Sequence, residues 1–101
     1  MIRATTPTHE FVLPFDYEQF VGKILITYSQ DDEIVVEKTE NDIAIVGNSI
    51  SIKLTQEETA VFKPNKYVKV QVRILTLGGE ALASDIISKP VCDVLNDEVL
   101  K

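Results

Sequence analysis

The residues of this sequence that are able to do chemistry are few and lie far apart. His9 is the single histidine and Cys92 the single cysteine of the chain. A nucleophilic site needs a general base beside the nucleophile, so the fold would have to bring these two residues together. Cys92 lies between Val91 and Asp93, a context more typical of an inert small hydrophobe. We therefore predict no catalytic residues and expect that the protein is not an enzyme.

Two acidic stretches are the remaining candidates for a site. Asp31, Asp32 and Glu33 are consecutive carboxylates, but they lack the spaced ligands and the fixed glycine of an EF-hand, and we interpret them as a solvated hairpin tip. Glu57 and Glu58 are adjacent carboxylates that a helix start explains. One histidine and one cysteine are too few for a typical zinc site. No glycine-rich phosphate loop and no G-x-S-x-G motif is present, so we expect no metal and no cofactor.

Length and charge limit the function classes further. The 101 residues are enough for one domain, residues 1–101, with its own hydrophobic core. The formal net charge of -6 opposes binding to nucleic acid or to an anionic membrane, since both attract clustered Lys and Arg. The first residues have no apolar signal-peptide core, and no apolar run approaches the roughly 20 residues of a membrane helix. The single cysteine fits synthesis in a reducing cytoplasm.

Strictly alternating segments indicate the elements that must position any site. Side chains alternate across a strand, so apolar residues at every second position indicate a strand buried on one face. The clearest examples are Ser49–Thr55 and the segment from Val68 to Ile74. We expect their inward side chains to be Ile50, Ile52 and Leu54 in the first and Val68, Val70, Val72 and Ile74 in the second.

Further strands are predicted on either side of these two. They are Phe11–Leu13, Lys23–Ser29, Ile34–Lys38, Ile43–Val46, Leu82–Ile86 and, after a break at Ser88–Pro90, Val91–Leu95. Turns are predicted at Gln30–Asp32, at Gly47–Asn48 and at a two-residue Gly78–Gly79 hairpin with positive φ at both glycines. Short helical turns are predicted at Asp16–Phe20 and Gln56–Phe62, because Asp16 and Thr55 stand at capping positions and Phe15 and Phe20 at those of a hydrophobic staple.

These elements predict an all-β fold, an antiparallel immunoglobulin-like sandwich of about seven strands with one or two short helical turns. A small closed barrel is the alternative. The polar residues before Phe11, rich in Thr and containing Pro7, are predicted to form a loose terminus, with an extended arm over residues 1–9 as the alternative.

Five segments carry a resemblance that covers nearly the whole chain: TPTHEFVLPFD, ILITYSQ, ISIKLTQEET, VKVQVRILTLGGEALASDII and LNDEVL. With these the chain resembles short proteins encoded in phage and prophage regions of gut Firmicutes. More weakly, it resembles the N-terminal β-sandwich module of phage baseplate upper proteins, in which a strand also leads into an L-T-x-x-x-T turn. The resemblance implies a structural or assembly module of a virion, made in the cytoplasm of the bacterial host.

Two function classes follow as expectations. The first is a non-enzymatic virion protein acting through protein–protein contacts, by self-association or with other virion proteins. Its contacts would be made by the edge Glu80–Ser88 or by an arm, Met1–Thr8, that orders against a neighbouring copy or another protein. The second is a stand-alone module that binds a host protein, a sugar or another ligand. An exposed aromatic cluster would favour the second class, and its candidate members are Phe11, Phe15, Tyr17, Phe20, Tyr28 and Tyr67.

Overall fold

A computed structural model describes all 101 residues and contains eight strands and two short α-helices. In chain order the elements are β1 (Thr8–Val12), α1 (Tyr17–Phe20), β2 (Val21–Gln30), β3 (Glu33–Thr39), β4 (Ile43–Val46), β5 (Ser49–Lys53), α2 (Gln56–Val61), β6 (Lys66–Thr76), β7 (Ala81–Ala83) and β8 (Ile87–Val91), with a 3-10 turn at Glu40–Asp42. Neither α-helix combines the length and the apolar composition needed to cross a membrane.

The strands form two sheets in which every neighbouring pair is antiparallel. One sheet has the order β1-β5-β4, and the other has the order β3-β2-β6, with both β7 and β8 paired to the far side of β6. The all-β antiparallel prediction is confirmed, with eight strands where about seven were expected. The immunoglobulin-like arrangement of the strands stays a prediction.

The two sheets share one hydrophobic core of 16 buried residues, and the predicted inward faces supply seven of them. All seven apolar residues that were expected to face inward are buried; they lie in β5 and β6, except Leu54, which follows β5. Ile24, Ile26 and Tyr28 of β2 are buried as well. Phe62, directly after α2, is fully buried and lies 6.1 Å from Tyr28 between ring centroids. The alternation thus fixed the register of the central strands, because a shift of one residue would turn each apolar set to solvent.

Both helix starts have the predicted caps. The Thr55 hydroxyl accepts a hydrogen bond from the Glu58 amide, at 3.1 Å, and the Glu58 carboxylate accepts one from the Thr55 amide, at 2.9 Å. At α1, the Asp16 carboxylate accepts from the amide of the residue three positions later. The rings of Phe15 and Phe20 lie 5.7 Å apart, as a hydrophobic staple requires.

The turns agree with the sequence in two places and differ in a third. Asp31 and Asp32 have φ of 51° and 62°, which gives β2 and β3 a two-residue primed turn, and Gly47, with φ of 60°, precedes Asn48 between β4 and β5. The Gly78–Gly79 prediction is wrong in detail, since only Gly79 has positive φ, at 90°. The loop there has four residues and is closed by the Thr76 amide donating to the Glu80 carbonyl, at 2.8 Å.

The strands after this loop also differ from the prediction. β7 ends at Ala83 instead of continuing to Ile86, and β8 runs through Pro90 where a break was expected. The Pro90 carbonyl points away from β6 and accepts a bond from the N-terminal ammonium group, at 2.8 Å. The missing amide hydrogen of Pro90 therefore falls on the outer edge of the sheet, where no ladder partner needs it. The expected strand Val91–Leu95 is wrong, because β8 stops at Val91.

The N-terminal residues are ordered against their own chain, so the prediction of a loose terminus is wrong. Ile2 forms a parallel bridge with Cys92, with the Cys92 amide donating to Met1 and the Arg3 amide donating to Cys92. The Arg3 guanidinium donates to Asp93, at 2.8 Å, and to the Ala60 carbonyl, at 2.6 Å. The chain then enters β1, which pairs with β5 and starts three residues before the predicted strand. Sequence patterning missed this segment because its contacts are with residues far away in the chain.

Candidate interaction site

The candidate functional site is an apolar groove at one side of the two-sheet core. It has a volume of about 350 Å³, and eight of its ten lining residues are hydrophobic. One wall comes from β1 and the residues that follow it, and the other comes from β6, β7 and the residue after β7. The lining residues are Phe11, Val12, Leu13, Pro14, Phe15, Val72, Ile74, Leu82, Ala83 and Ser84.

The first wall is held in place by the turn between β4 and β5. The Leu13 amide donates to the Asn48 carbonyl, at 2.7 Å, and the Asn48 side-chain amide donates back to the Leu13 carbonyl, at 3.2 Å. The Tyr17 amide, at the start of α1, donates to the Gly47 carbonyl at 3.0 Å. These bonds fix the segment between β1 and α1, so that Phe15 lies at the groove without belonging to a strand.

The second wall ends in a free strand edge. β7 pairs with β6 on one side only, and all three of its residues are exposed. Backbone hydrogen bonds join Thr76 to Glu80 and Val72 to Ser84. Hydrogen-bonded pairs recur at every second residue of an antiparallel ladder, so the amide and carbonyl of Leu82, which lies between these pairs, point toward β6. The amides and carbonyls of Ala81 and Ala83 then point outward. No charged side chain and no proline guards these three residues, although edges are usually protected in one of these ways.

Acidic residues are concentrated in the two segments that supply eight of the ten lining residues, residues 8–20 and 80–86, which we call the rims of the groove. The rims contain five acidic residues and neither Lys nor Arg. None of the five takes part in any of the ion pairs of the structure. Arg73 is the cross-strand partner of Ala83, and it alternates with Val72 and Ile74, so it lies on the opposite face of the sheet from the groove. The five acidic residues are Glu10, Asp16, Glu18, Glu80 and Asp85.

The six aromatic candidates do not form one cluster. Tyr17 and Tyr28 are buried in the core. Phe11 and Phe15 line the groove, and the half-exposed Phe20 packs against Phe15. Tyr67 is 66% exposed and lies beside the β2–β3 turn, in a separate polar hollow. Sequence reasoning named the groove aromatics but missed the groove, because it forms between segments that are distant along the chain.

His9 and Cys92 are not joined by a hydrogen bond. Nδ1 of His9 lies 2.6 Å from the buried hydroxyl of Tyr28, while the backbone of Cys92 pairs with the N-terminal residues. Burial lowers the pKa of His9 below its ordinary value of 6.5, and the positive charges of Lys89 and the N-terminus act in the same direction. Burial also raises the pKa of Tyr28, with a contribution from Glu58. Cys92 is exposed, contrary to the apolar setting expected from its neighbours.

One residue of each acidic stretch has cationic or capping partners. Asp31 accepts hydrogen bonds from Lys63, at 2.8 Å, and from Lys66, at 3.0 Å, and these bonds lower the pKa of Asp31. Glu58 combines its capping role with an ion pair to Lys38, at 2.7 Å. No group of three or more His, Cys, Asp or Glu side chains is arranged to hold a metal ion.

Comparison of the chain with protein-family models, with curated proteins and with solved structures finds no match.

Proposed function

We propose that this protein is a non-enzymatic structural or assembly module of a phage or prophage particle, acting through protein–protein contacts. The observation that carries the proposal is the apolar groove beside the unguarded edge of β7. The proposed setting is the host cytoplasm during synthesis and the virion afterwards.

The groove and the edge offer a partner two complementary kinds of contact. Removing apolar surface from water favours binding by about 25 cal/mol per Å² in the groove. A free strand edge supplies backbone donors and acceptors in a fixed spacing, which orients an incoming segment. Leu82 is 39% exposed and belongs to both features, since it lines the groove and lies in β7.

The virion setting is supported by the resemblance to short phage- and prophage-encoded proteins, which extends over nearly the whole chain. The ordered N-terminus and the immunoglobulin-like interpretation of the two sheets suit a rigid building block better than a flexible adaptor.

The proposal is tested by analysing induced particles from the source bacterium. Particles purified on a density gradient are digested and searched by mass spectrometry for peptides of this chain, and the neighbouring genes are inspected for capsid, portal and tail functions. We expect to find the chain in the particle fraction or in an assembly intermediate. A Leu82→Asp variant should be incorporated poorly, whereas the control variant Lys101→Asp, at an exposed position, should be incorporated normally. Absence of the chain from both fractions would refute the virion role.

A stand-alone binding module is the second candidate, and the two phenylalanines of the groove favour it. Cavities of about 300–1,000 Å³ lined mainly by apolar and aromatic side chains are typical of small-ligand sites. Phe11 and Phe15 supply the aromatic part of such a lining. Chemical-shift changes confined to the groove on titration with small aromatic compounds or monosaccharides would support this candidate, and unchanged spectra would reject it.

A further inference from the structure

We propose that the groove and the β7 edge bind an extended segment of another protein, which adds to the sheet as a strand, inserts apolar side chains into the groove and carries Lys or Arg at its ends. This inference rests on the proposed protein–protein function and specifies the chemistry of the partner.

The backbone geometry of β7 favours strand addition. The outward peptide groups of Ala81 and Ala83 are two residues apart, which is the spacing at which an added antiparallel strand places its own paired groups. Alanine side chains at these positions leave the approach open, and the edge has no internal partner to displace. An incoming strand would therefore form its ladder without opening any hydrogen bond of the structure.

The groove specifies which residues of the partner are apolar. In an added strand, side chains alternate between the two faces of the sheet, so those on the face of Leu82 point toward the groove and those between them point to solvent. An internal cavity of about 150 Å³ holds one benzene ring. The groove, at about 350 Å³, has room for roughly two groups of that size. The partner is thus expected to have large apolar residues two positions apart.

The charges specify the flanks of the partner. Glu80 precedes β7 and Asp85 follows it by two residues, while Glu10 and Asp16 adjoin the lining residues Phe11 and Phe15 in the chain. Neither of these two segments contains Lys or Arg, and the cations nearest to β7, Lys23 and Arg73, line a separate hollow. A segment with basic residues beyond its apolar positions would meet carboxylates at both ends, which attracts it during approach and discriminates against acidic segments. The same charges disfavour a second copy of the chain, because each copy carries a net charge of -6 and the same acidic rims.

The test selects peptides from an mRNA-displayed library of random decapeptides on the immobilised full chain. We expect binders with apolar residues at alternate positions and with Lys or Arg at the ends, whose addition shifts the amide resonances of Ala81–Ser84 and Phe11–Phe15. Neutralising the rims with Glu10→Gln, Glu80→Gln and Asp85→Asn should weaken the selected peptide about tenfold, as a few surface ion pairs would. The matched control, Glu37→Gln with Glu57→Gln and Glu98→Gln, changes the net charge equally outside the rims and should bind within twofold.

Backbone pairing is tested on the selected peptide, which avoids any effect on folding. Methylation of single amide nitrogens should weaken binding at least tenfold at alternate positions and little at those between them, because only one side of the added strand faces β7. Ala83→Pro, which removes an outward donor, should have the same effect as the harmful methylations.

Four outcomes would overturn the inference. They are a library without binders, binders that lack basic residues, methylation effects without alternation, and concentration-dependent dimerisation of the chain through the same surface in sedimentation. None of these outcomes changes the result of the particle analysis. Conversely, if the chain is absent from particles but still selects basic strand-forming peptides, only the virion role is refuted.

Discussion

Replacing Thr59 by Val should detach the N-terminal residues from α2 while preserving the shape of the side chain. Thr59 is fully buried, and its hydroxyl accepts from the Thr5 amide, at 3.0 Å, and donates to the Thr5 carbonyl, at 2.8 Å. Each lost hydrogen bond costs about 0.5–1.5 kcal/mol, so the two together give roughly 1–3 kcal/mol. For a domain of this size, a loss of about 2 kcal/mol lowers the Tm by roughly 8–16 °C.

Thermal and urea denaturation of the variant measure this loss, with Thr27→Val as a half-buried control whose hydroxyl makes no hydrogen bond within the protein. Native-state hydrogen exchange locates the effect, since the Arg3 and Leu54 amides, which donate to the Cys92 and Pro7 carbonyls, should exchange faster in the variant. If Thr59→Val is as stable as the control and these two amides keep their protection, the Thr59 hydroxyl does not anchor the N-terminus and the reasoning is refuted.

Three further predictions concern the core and two titrating groups. Val72→Asp should cost several kcal/mol in urea denaturation, because Val72 is 3% exposed in the middle of β6, while Lys69→Asp on the other face should cost little; equal tolerance would contradict the register. The pKa of the His9 ring, measured by NMR, should lie below 6.5, and a higher value would contradict the prediction. Because this pKa is lowered in the folded state, the contribution of His9 to folding stability is complete above pH 6.5 and decreases as the pH falls, and His9→Gln should remove this pH dependence. Burial raises the pKa of Glu58, but the hydrogen bonds of this carboxylate to Lys38 and to the Thr55 amide outweigh burial, so the net shift is downward. The folding stability that Glu58 contributes is therefore present above pH 4.5 and lost below that pH, and a Glu58→Gln variant with an unchanged acid denaturation profile would refute this prediction.

The local parts of the fold were predictable from the sequence. The burial of Ile52 and Val72 follows from alternation alone, since period-2 apolar residues leave one register for a half-buried strand. The cap at Thr55 is also local, because both of its hydrogen bonds are made with Glu58, three residues later. Such features depend on neighbours in the chain, and a single sequence contains all the information they need.

Long-range contacts account for what the sequence did not predict. Arg3 binds Asp93 and the Ala60 carbonyl, and neither partner leaves a pattern near residue 3. Pro90 fits in β8 because its nitrogen lies on the outer edge of the sheet, where no ladder bond is needed, and its carbonyl accepts from the N-terminal ammonium group there. The residues around Pro90 do not reveal this position. The groove has the same origin, since Phe11 and Leu82 come together only when the two sheets pack. Its apolar residues therefore looked like ordinary core residues.

The edges of the two sheets differ in how they are protected, and this difference bears on the proposed contact at β7. The end of β8 is covered by Met1–Arg3, and the free edge of β3 bears charged residues and a bulge opposite Tyr28 and Ser29. β4 lacks charged residues as well, but the groove does not lie beside it. β1 is also a free edge and lines the groove, but it contains Glu10, so β7 alone combines an uncharged edge with the groove. The N-terminus closes the end of β8 on the same side of β6 and leaves β7 free, which supports the proposed contact of β7 with a partner.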